Sequence, residues 1–264
     1  MDELTVIKIG GSLVVRPDAL DALWSAVAHM VTSRRVVVVH GGGPMATDVA
    51  RRLGHEPRMV HGRRITTDTD LRIVQWTMRG ELNGTLVGHA RRAGVRAAGV
   101  SGADGAIIQV VKRPPWDIDG ELIDFGWVGD VEIVDPRLLN ILLDNNYVPV
   151  LAPLGIDQHG RLYNVNADTV SWEVAASLEA SEYLLVTDTG GVRRQVDDPL
   201  SHMDVCSRAE YDKGATEGWI AGGMRVKLAA AFDALQSGVQ NVYVLSHDNL
   251  LSRKEVTQIV ESNA

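Results

Sequence analysis

The sequence predicts an α/β fold in which helices pack against a mainly parallel β-sheet. Short β-branched runs alternate with helical patterns almost from the first residue, which is typical of a parallel sheet wound with helices. Residues 36–39 are four consecutive valines, and a strand that is apolar on both faces belongs in the middle of such a sheet. Two of the predicted strands end in glycine-rich turns that open helices.

The elements of the first half follow from apolar runs and from residues that start and stop helices. We expect strands at 4–9, 36–39, 95–100 and 106–112, and helices at 17–32, from Pro44 to Leu53, and at 67–94. Pro17 opens the first helix and Gly54 follows the second, which are common positions for these residue types. The third helix carries an apolar stripe that needs a packing partner, because its members are three or four residues apart. The stripe consists of Leu71, Val74, Met78, Leu82 and Leu86, and we expect Met78 on its outward part.

The second half repeats the alternation after a segment rich in turn residues. Pro114-Pro115, residues 117–120 and Gly126 predict hairpins in that segment. We expect strands at 147–151, 183–187 and 241–245, and helices from Pro136, at 166–179, at 223–238 and from Ser252. Residues 197–222 are polar and irregular, so we expect a surface excursion there.

Composition and charge exclude several classes of protein. The 264 residues include 34 acidic and 26 basic side chains, a formal net charge of −8. This is the wrong sign for binding mainly to nucleic acid or a membrane surface, so an anionic ligand must be bound by a local positive site. Cys206 is the single cysteine and the eight histidines are scattered, so we expect no protein-held metal. Without a membrane span or signal peptide in the sequence, we expect a cytoplasmic protein.

Two glycine-rich turns are candidates for phosphate binding. Gly10-Gly11 and Gly41-Gly42-Gly43 each follow a predicted strand and open a helix, where backbone N–H groups can converge on an anion. Neither turn matches the dinucleotide or P-loop fingerprint. One such turn alone would favour an ordinary tight turn, but two turns, with Lys8 just before the first, favour phosphate binding.

Four further positions could carry chemistry, and each also has an ordinary structural interpretation. Lys8 lies in an apolar strand, where an ammonium must be paired with an anion. Lys227, near the start of a helix, could equally be a solvated lysine. Arg64 is suited to bidentate capture of a carboxylate or could be a surface arginine. The segment 164–168, with two asparagines and Asp168, could cap a helix or hold a polar substrate and orient the lysines.

Taken together, these segments resemble the amino acid kinase family, and within it the enzymes that phosphorylate N-acetylglutamate. The likeness covers nearly the whole chain, and its segments occur in the same order. They are KIGG at 8–11, HGGGP at 40–44, GRRIT at 62–66, SGADG at 101–105, GWVGDV at 126–131, NVNAD at 164–168, TDTGG at 187–191 and GGMRVK at 222–227. Each segment alone is a weak signal, whereas eight in order are a strong one.

The resemblance implies a three-layer sandwich with a central, mainly parallel sheet and two lobes. Residues 1–172 would bind the amino acid and form a homodimer through the helix 69–92, and residues 173–264 would bind ATP, with its Mg²⁺ carried by the nucleotide and held by no protein ligand. The implied reaction is ATP-dependent phosphorylation of the γ-carboxylate of N-acetyl-L-glutamate, the second step of arginine biosynthesis.

The resemblance also implies roles for individual residues. Lys8 and Lys227 would stabilise the transferring phosphoryl group, and Asp168 would orient them. The acetylglutamate contacts would be Gly42, Gly43, Arg64 and Asn164. The nucleotide contacts would be Gly10, Gly11, residues 188–193 (Asp188, Thr189, Gly190, Gly191, Val192 and Arg193), Trp219, Ile220 and Ala221.

Three departures from the family pattern accompany this resemblance. The chain lacks the usual Gly-Thr turn, and we expect no final strand in residues 254–264. Gly190 stands where the family often has an acidic residue or serine, so ribose or adenine contacts there would differ. The first strand begins by Leu4, so we expect no arginine feedback through an additional N-terminal helix.

Three alternative functions remain open at this stage. A kinase acting on carrier-linked glutamate or aminoadipate would need a basic rim around the acceptor pocket, which the net charge of −8 does not favour. A non-catalytic ligand-binding member of the fold would not need both lysines. A dinucleotide oxidoreductase is disfavoured by the missing glycine fingerprint.

Overall fold

In residues 3–188, 190–195 and 197–262, which the computed structural model describes, an eight-stranded sheet forms the centre of the fold. The strands are β1 Leu4–Ile9, β2 Arg35–His40, β3 Met59–Val60, β4 Arg63–Arg64, β5 Ala97–Ser101, β6 Ile108–Lys112, β7 Trp116–Ile118, β8 Glu121–Ile123, β9 Gly129–Val134, β10 Val148–Ala152, β11 Leu154–Ile156, β12 Leu162–Asn164, β13 Glu182–Thr187, β14 Val205–Ser207, β15 Asn241–Ser246 and β16 Thr257–Val260. The helices are α1 Pro17–Met30, α2 Gly43–Arg52, α3 Asp68–Val74, α4 Asn83–Arg92, α5 Arg137–Asp144, α6 Ala167–Ser177, α7 Arg208–Glu217 and α8 Gly222–Gln236.

The central sheet has the order β14-β16-β15-β13-β1-β2-β10-β5. Its described strand pairs are parallel apart from β15 with β16, which are antiparallel. The mainly parallel sheet predicted from the sequence is therefore confirmed. The order places β1 and β2 next to each other, so the two glycine turns that follow them lie at the same edge of the sheet.

Helices cover both faces of this sheet, as the valine-rich strand β2 predicts. Val36 and Val38 pack in a core with α1 and α4, whereas Val37 and Val39 pack in a second core with α6 and α8. Successive side chains of a strand point to opposite faces, so a run of four valines supplies both cores. The result is a three-layer α/β sandwich.

Smaller elements lie beside the carboxyl ends of the central strands. A four-stranded sheet has the order β12-β11-β6-β9 in the described part of the chain, and β3–β4 and β7–β8 are two-stranded hairpins. Ile123, Phe125 and Val128 form a satellite core under these hairpins, with Trp116 packed against it. The predicted turn-rich segment is thus a hairpin with its own apolar support.

The long helix predicted over 67–94 runs from α3 to α4 through the π-helical segment Gln75–Leu82. Its apolar stripe packs within its own chain. Met78, which we expected on an outward part of the stripe, is 6% exposed, and an added Cβ on Gly42 would meet its side chain. That expectation is wrong because the glycine turn after β2 fills the space beside Met78. Trp76 is the large apolar residue that this helix exposes, at 60%.

Two predictions near the C-terminus are wrong. The helix expected from Ser252 is replaced by β16, which also supplies the final strand that we expected to be missing. Thr257 and Ile259 are buried while Gln258 is half-buried, so this segment has the two-residue alternation of a strand. Asn263 and Ala264 of the predicted tail lie outside the described residues.

The excursion expected over 197–222 is also more ordered than predicted. It contains β14, which pairs with β16 at the edge of the central sheet, and helix α7. Ser207 and Glu210 form a reciprocal capping box at the start of α7, which lets a polar sequence form a helix without an apolar stripe.

The predicted division at residue 172 falls inside α6, and β1 and β13, from opposite sides of that division, are hydrogen-bonded neighbours. The two-lobe division stays a prediction. Within the described residues, no helix is long and apolar enough to cross a membrane.

Candidate active site

A cleft of about 1240 Å³ opens at the carboxyl ends of β1, β2 and β13. Ligands of open α/β sheets commonly bind at this edge. The cleft is lined by sixteen of the seventeen predicted site residues, namely Lys8, Gly10, Gly11, Gly42, Gly43, Arg64, Asn164, Asp168, Asp188, Gly191, Val192, Arg193, Trp219, Ile220, Ala221 and Lys227. Gly190 is the exception. It is buried beside the cleft wall, and its carbonyl accepts a hydrogen bond from Thr187 Oγ1 at 2.6 Å. Thr189, which the predicted nucleotide segment includes, lies outside the described residues.

Lys8 is a buried ammonium with an acidic partner, as its place in an apolar strand predicts. Every residue of β1 is buried, and Lys8 is 4% exposed. Its Nζ lies 2.6 Å from Oδ1 of Asp168. Asp168 is held in the first turn of α6, where the side chain of Asn166 accepts hydrogen bonds from the backbone N–H groups of Asp168 and Thr169. The segment 164–168 therefore both caps helix α6 and supplies the carboxylate that pairs with Lys8.

Lys227 lines the same cleft from helix α8. It lies in the first turns of α8, is half-buried, and its Nζ donates to the Gly223 carbonyl at 3.4 Å. Burial and the positive charge of Lys8 lower the pKa of the Lys227 ammonium, while Asp168 and Asp188 act in the opposite direction. Two ammonium groups that repel each other across a cleft are suited to an anion placed between them.

The two glycine turns pack directly against each other. A Cβ on Gly11 would lie 2.9 Å from Cδ of Pro44 and 3.1 Å from the backbone N of Gly42. A Cβ on Gly43 would meet no atom within 4 Å, because this residue borders the open cleft. Close backbone approach therefore explains Gly11, and the backbone of the second turn is accessible to a ligand.

His40, at the end of β2, supports the second turn from inside. It is fully buried, its Nδ1 donates to the Gly41 carbonyl at 2.9 Å, and Nδ2 of Asn83 donates to its Nε2 at 3.1 Å. Asn83 also donates to the Val150 carbonyl at 2.9 Å. Burial lowers the pKa of His40 to about 4. The imidazole is neutral at physiological pH and joins the glycine turn to the long helix.

This burial predicts a pH-dependent stability. The pKa of His40 falls from 6.5 to about 4 on folding, so between these pH values the unfolded chain binds a proton that the folded chain does not. The free energy of unfolding should therefore fall with decreasing pH across this window, with a His40 contribution of about 3 kcal/mol. Urea unfolding at several pH values measures this contribution. Across the same window, the free energy of unfolding of His40→Gln should fall by about 3 kcal/mol less than that of the wild type. Parallel curves for the two proteins would contradict this assignment.

Arg64 borders the second turn and is not a surface arginine. It is 9% exposed, its Nη1 lies 3.3 Å from Asp70 Oδ1, and its Nη2 donates to Thr47 Oγ1 at 2.7 Å. Nη2 also lies 3.4 Å from the Gly43 carbonyl. Asn164, across the cleft, donates to Thr66 Oγ1 at 3.2 Å. These contacts fix both polar groups at the same end of the cleft.

The opposite end of the cleft is formed by Asp188, residues 191–194 and residues 218–221. Arg194 and Gly218 are the positions in this set that the sequence did not predict. The Val192 N–H donates to Thr257 Oγ1 at 2.7 Å, so the unexpected strand β16 holds this segment in place. Ser12 donates a hydrogen bond to the Asp188 carboxylate and connects the first glycine turn to it. Arg194 lies over the ring of Trp219 at 5.6 Å.

The cleft is a local positive site in an acidic protein. Of the described charged residues that line it, eight are basic and three are acidic, an excess of five positive charges, whereas the whole chain carries −8. The basic residues are Lys8, Arg51, Arg63, Arg64, Arg113, Arg193, Arg194 and Lys227, and the acidic ones are Asp48, Asp168 and Asp188. Such a wall suits polyanionic ligands such as a nucleoside triphosphate. The described residues contain no group of three or more histidine, cysteine or acidic side chains placed to hold a metal ion.

The fold and this cleft define a class of protein, and comparison with known sequences identifies it. Residues 3–246 match the model of the amino acid kinase family, and the chain belongs to that family. It is 42% identical over 244 residues to an acetylglutamate kinase of Anaeromyxobacter sp. (strain K), covering 91% of this chain and 89% of the relative. It is 38% identical over 248 residues to an acetylglutamate kinase of Methanopyrus kandleri, covering 94% and 97%.

Solved structures show the same fold at lower identity. N-acetylglutamate synthase from Neisseria gonorrhoeae, complexed with coenzyme A and N-acetyl-glutamate, superposes with a TM-score of 0.83 at 24% identity, over 100% of this chain and 60% of that one. Carbamate kinase from Giardia lamblia bound to AMP-PNP superposes with a TM-score of 0.70 at 14% identity, over 98% and 99%. These likenesses confirm the predicted α/β sandwich.

Proposed function

We propose that this protein transfers the γ-phosphoryl group of ATP to the γ-carboxylate of N-acetyl-L-glutamate, giving N-acetyl-L-glutamyl 5-phosphate, the second step of arginine biosynthesis. The observation that carries this proposal is the placement of Lys8 on β1 and Lys227 on α8 in one cleft with Asp168. The named activity of relatives up to 42% identical over 91% of the chain supports it.

The side chains present match the needs of this reaction. A γ-carboxylate with an ordinary pKa of about 4.3 is ionised at neutral pH, so the nucleophile requires no general base. The barrier comes from bringing two anions together, and positioning and charge neutralisation lower it. In our assignment Lys8 and Lys227 neutralise the phosphoryl oxygens, and the N–H groups of Gly10, Gly11 and the second turn contribute further donors. Mg²⁺ that arrives with ATP supplies additional positive charge.

The acceptor would occupy the end of the cleft that Arg64 and Asn164 border, and the nucleotide would occupy the end formed by Asp188, residues 191–194 and residues 218–221. Arg64 is held by Asp70 and Thr47 with its guanidinium at the second glycine turn. This geometry supports the assignment of Gly42, Gly43, Arg64 and Asn164 to the acceptor.

The positive cleft wall would also suit a glutamate or aminoadipate linked to an acidic carrier protein, so the acceptor requires a direct test. We expect ATP-dependent ADP release with N-acetyl-L-glutamate and little with glutamate or aspartate. Carrier-linked glutamate as the acceptor, with free N-acetyl-L-glutamate inactive, would replace our proposal. Tight nucleotide binding without turnover on either would indicate a ligand-binding member of the fold.

Arg64 tests the acceptor assignment. Arg64→Lys keeps the charge but loses the planar pair of donors, so we expect the KM for N-acetyl-L-glutamate to rise by about tenfold or more. The KM for ATP should stay nearly unchanged, because Arg64 lies at the other end of the cleft. Steady-state kinetics with each substrate varied in turn measures both values. Unaltered acceptor kinetics would place Arg64 outside the acceptor pocket.

We further propose a homodimer through the helix 69–92, as the family resemblance implies. Trp76 on this helix is 60% exposed, and the helix also exposes Gly80, Gly84 and Gly88. An exposed tryptophan beside small residues suits a two-fold contact in which the same surface meets itself.

Trp76→Glu tests this interface. It would place two carboxylates in the contact of each dimer, so we expect dissociation at micromolar concentration. Sedimentation measures the assembly, with Leu122→Glu as a control at a 73% exposed apolar residue on β8. A wild-type monomer of 28.6 kDa would exclude the dimer, and a dimer that tolerates Trp76→Glu would place the contact elsewhere.

A further inference from the structure

Arg63 is a cation in the cleft wall that has no acidic partner among the described residues. It is half-buried and lines the cleft, and its side chain makes no hydrogen bond or ion pair to any residue that the structure describes. Its guanidinium carbon lies 4.9 Å from the centre of the Trp116 ring. A second cation lies close to Arg63, because the guanidinium carbon of Arg113 is 4.5 Å from the centre of the same ring.

Three other arginines that line the cleft each have an acidic partner. Arg64 lies 3.3 Å from an Asp70 oxygen, Arg113 lies 2.6 Å from Asp130, and Arg51 lies 2.8 Å from Glu56. Burial and the charge of Arg113 lower the pKa of Arg63, whereas Asp130 and Asp168 act in the opposite direction. An arginine keeps its charge under such shifts. Arg63 therefore presents an unpaired positive charge to the cleft.

The groups of N-acetyl-L-glutamate do not account for this charge. In the proposed function the γ-carboxylate of the acceptor meets the two lysines. We assign its α-carboxylate to Arg64, because a planar guanidinium suits bidentate capture of a carboxylate. The acetyl group is neutral, so N-acetyl-L-glutamate offers no third negative charge. Arg63 precedes Arg64 in β4, and successive side chains of a strand point to opposite sides, so Arg63 faces a different part of the acceptor from the part that Arg64 contacts.

Resting on the proposed function, we propose that Arg63 contacts the N-acyl part of the acceptor and favours acyl groups that end in a carboxylate. The substrate class is an N-acyl-L-glutamate of the N-succinyl type. The Trp116 ring holds the guanidinium from one side, which leaves its N–H groups free to form a bidentate pair with a carboxylate.

Two acceptors of nearly equal shape test this inference. The acyl group of N-succinyl-L-glutamate ends in a carboxylate, whereas that of N-succinamoyl-L-glutamate ends in a neutral amide. We expect the wild type to favour the succinyl compound by about tenfold in kcat/KM. Arg63→Met, whose apolar side chain still covers Trp116, should bring this ratio close to one, and Arg63→Lys should restore part of it. Dissociation constants from calorimetry give the same ratio without turnover.

Arg51→Gln is the matched control, because it removes one positive charge from the same wall at a residue already paired with Glu56. In Arg51→Gln, the ratio of kcat/KM between the succinyl and succinamoyl acceptors should be close to that of the wild type. A wild-type ratio near one, or an equal loss in Arg51→Gln and Arg63→Met, would overturn the inference. Phosphorylation of N-acetyl-L-glutamate in the same series reports on the proposed function separately, since it does not depend on the terminal carboxylate.

Discussion

Replacing Lys227 by alanine is expected to lower kcat by about two to three orders of magnitude while changing the dissociation constant for ATP only a few-fold. The ammonium lies beside Lys8 and has no carboxylate within ion-pairing distance among the described residues. Its charge is therefore available for the extra negative charge on the phosphoryl oxygens in the transition state.

Arg225→Ala provides the control for this variant. Arg225 lies on the same helix, is exposed, and does not line the cleft, so its removal should leave kcat close to wild type. Calorimetric titration with a non-hydrolysable ATP analogue separates binding from turnover. Equal losses in nucleotide binding and kcat for Lys227→Ala would refute the assigned role.

Lys8→Ala should reduce kcat to a similar extent and should also destabilise the fold. Its Nζ lies 2.6 Å from Asp168, and Lys8 is 4% exposed, so its removal leaves a carboxylate without its partner in a region of low exposure. We expect a loss of about 3 kcal/mol in the free energy of unfolding. Lys227→Ala should lose much less, because Lys227 is half-buried and makes no ion pair to a described residue. Denaturant unfolding of the two variants measures this contrast.

A double variant separates the two effects of Lys8. Lys8→Ala combined with Asp168→Asn removes the uncompensated carboxylate, so stability should largely return. The value of kcat should not return, because the phosphoryl group still lacks one of its two ammonium groups. Recovery of both would mean that Lys8 acts only through the stability of the site.

The sequence predicted the parts of the site whose residues conflict with their surroundings. A lysine in an apolar strand needs an anion, and the structure supplies Asp168. The run of valines in β2 predicted a central strand. The two predicted glycine turns end adjacent strands and meet, with a Cβ on Gly11 only 3.1 Å from the backbone N of Gly42. In each case one residue type is compatible with few environments, so the local sequence carries most of the information.

The sequence did not predict features that depend on partners distant along the chain. The spacing of the long helix places Met78 on the outward part of its stripe, but the turn at Gly42 packs against this side chain and buries it. Strand β16 exists because β14 and β15 pair with its two edges. Arg63 and Arg64 are neighbours of one residue type, and only the position of Asp70 shows which of the two is paired.

The most direct test of the proposed reaction is chemical detection of its acyl phosphate product. Purified protein is incubated with ATP, Mg²⁺ and N-acetyl-L-glutamate in the presence of hydroxylamine, which converts an acyl phosphate to a hydroxamate and releases phosphate. We predict one N-acetylglutamyl γ-hydroxamate for each ADP formed, with the rate of its formation falling in parallel with kcat in Lys8→Ala and Lys227→Ala. ADP formation without hydroxamate, or hydroxamate formation that persists at the wild-type rate without the two lysines, would contradict the proposal.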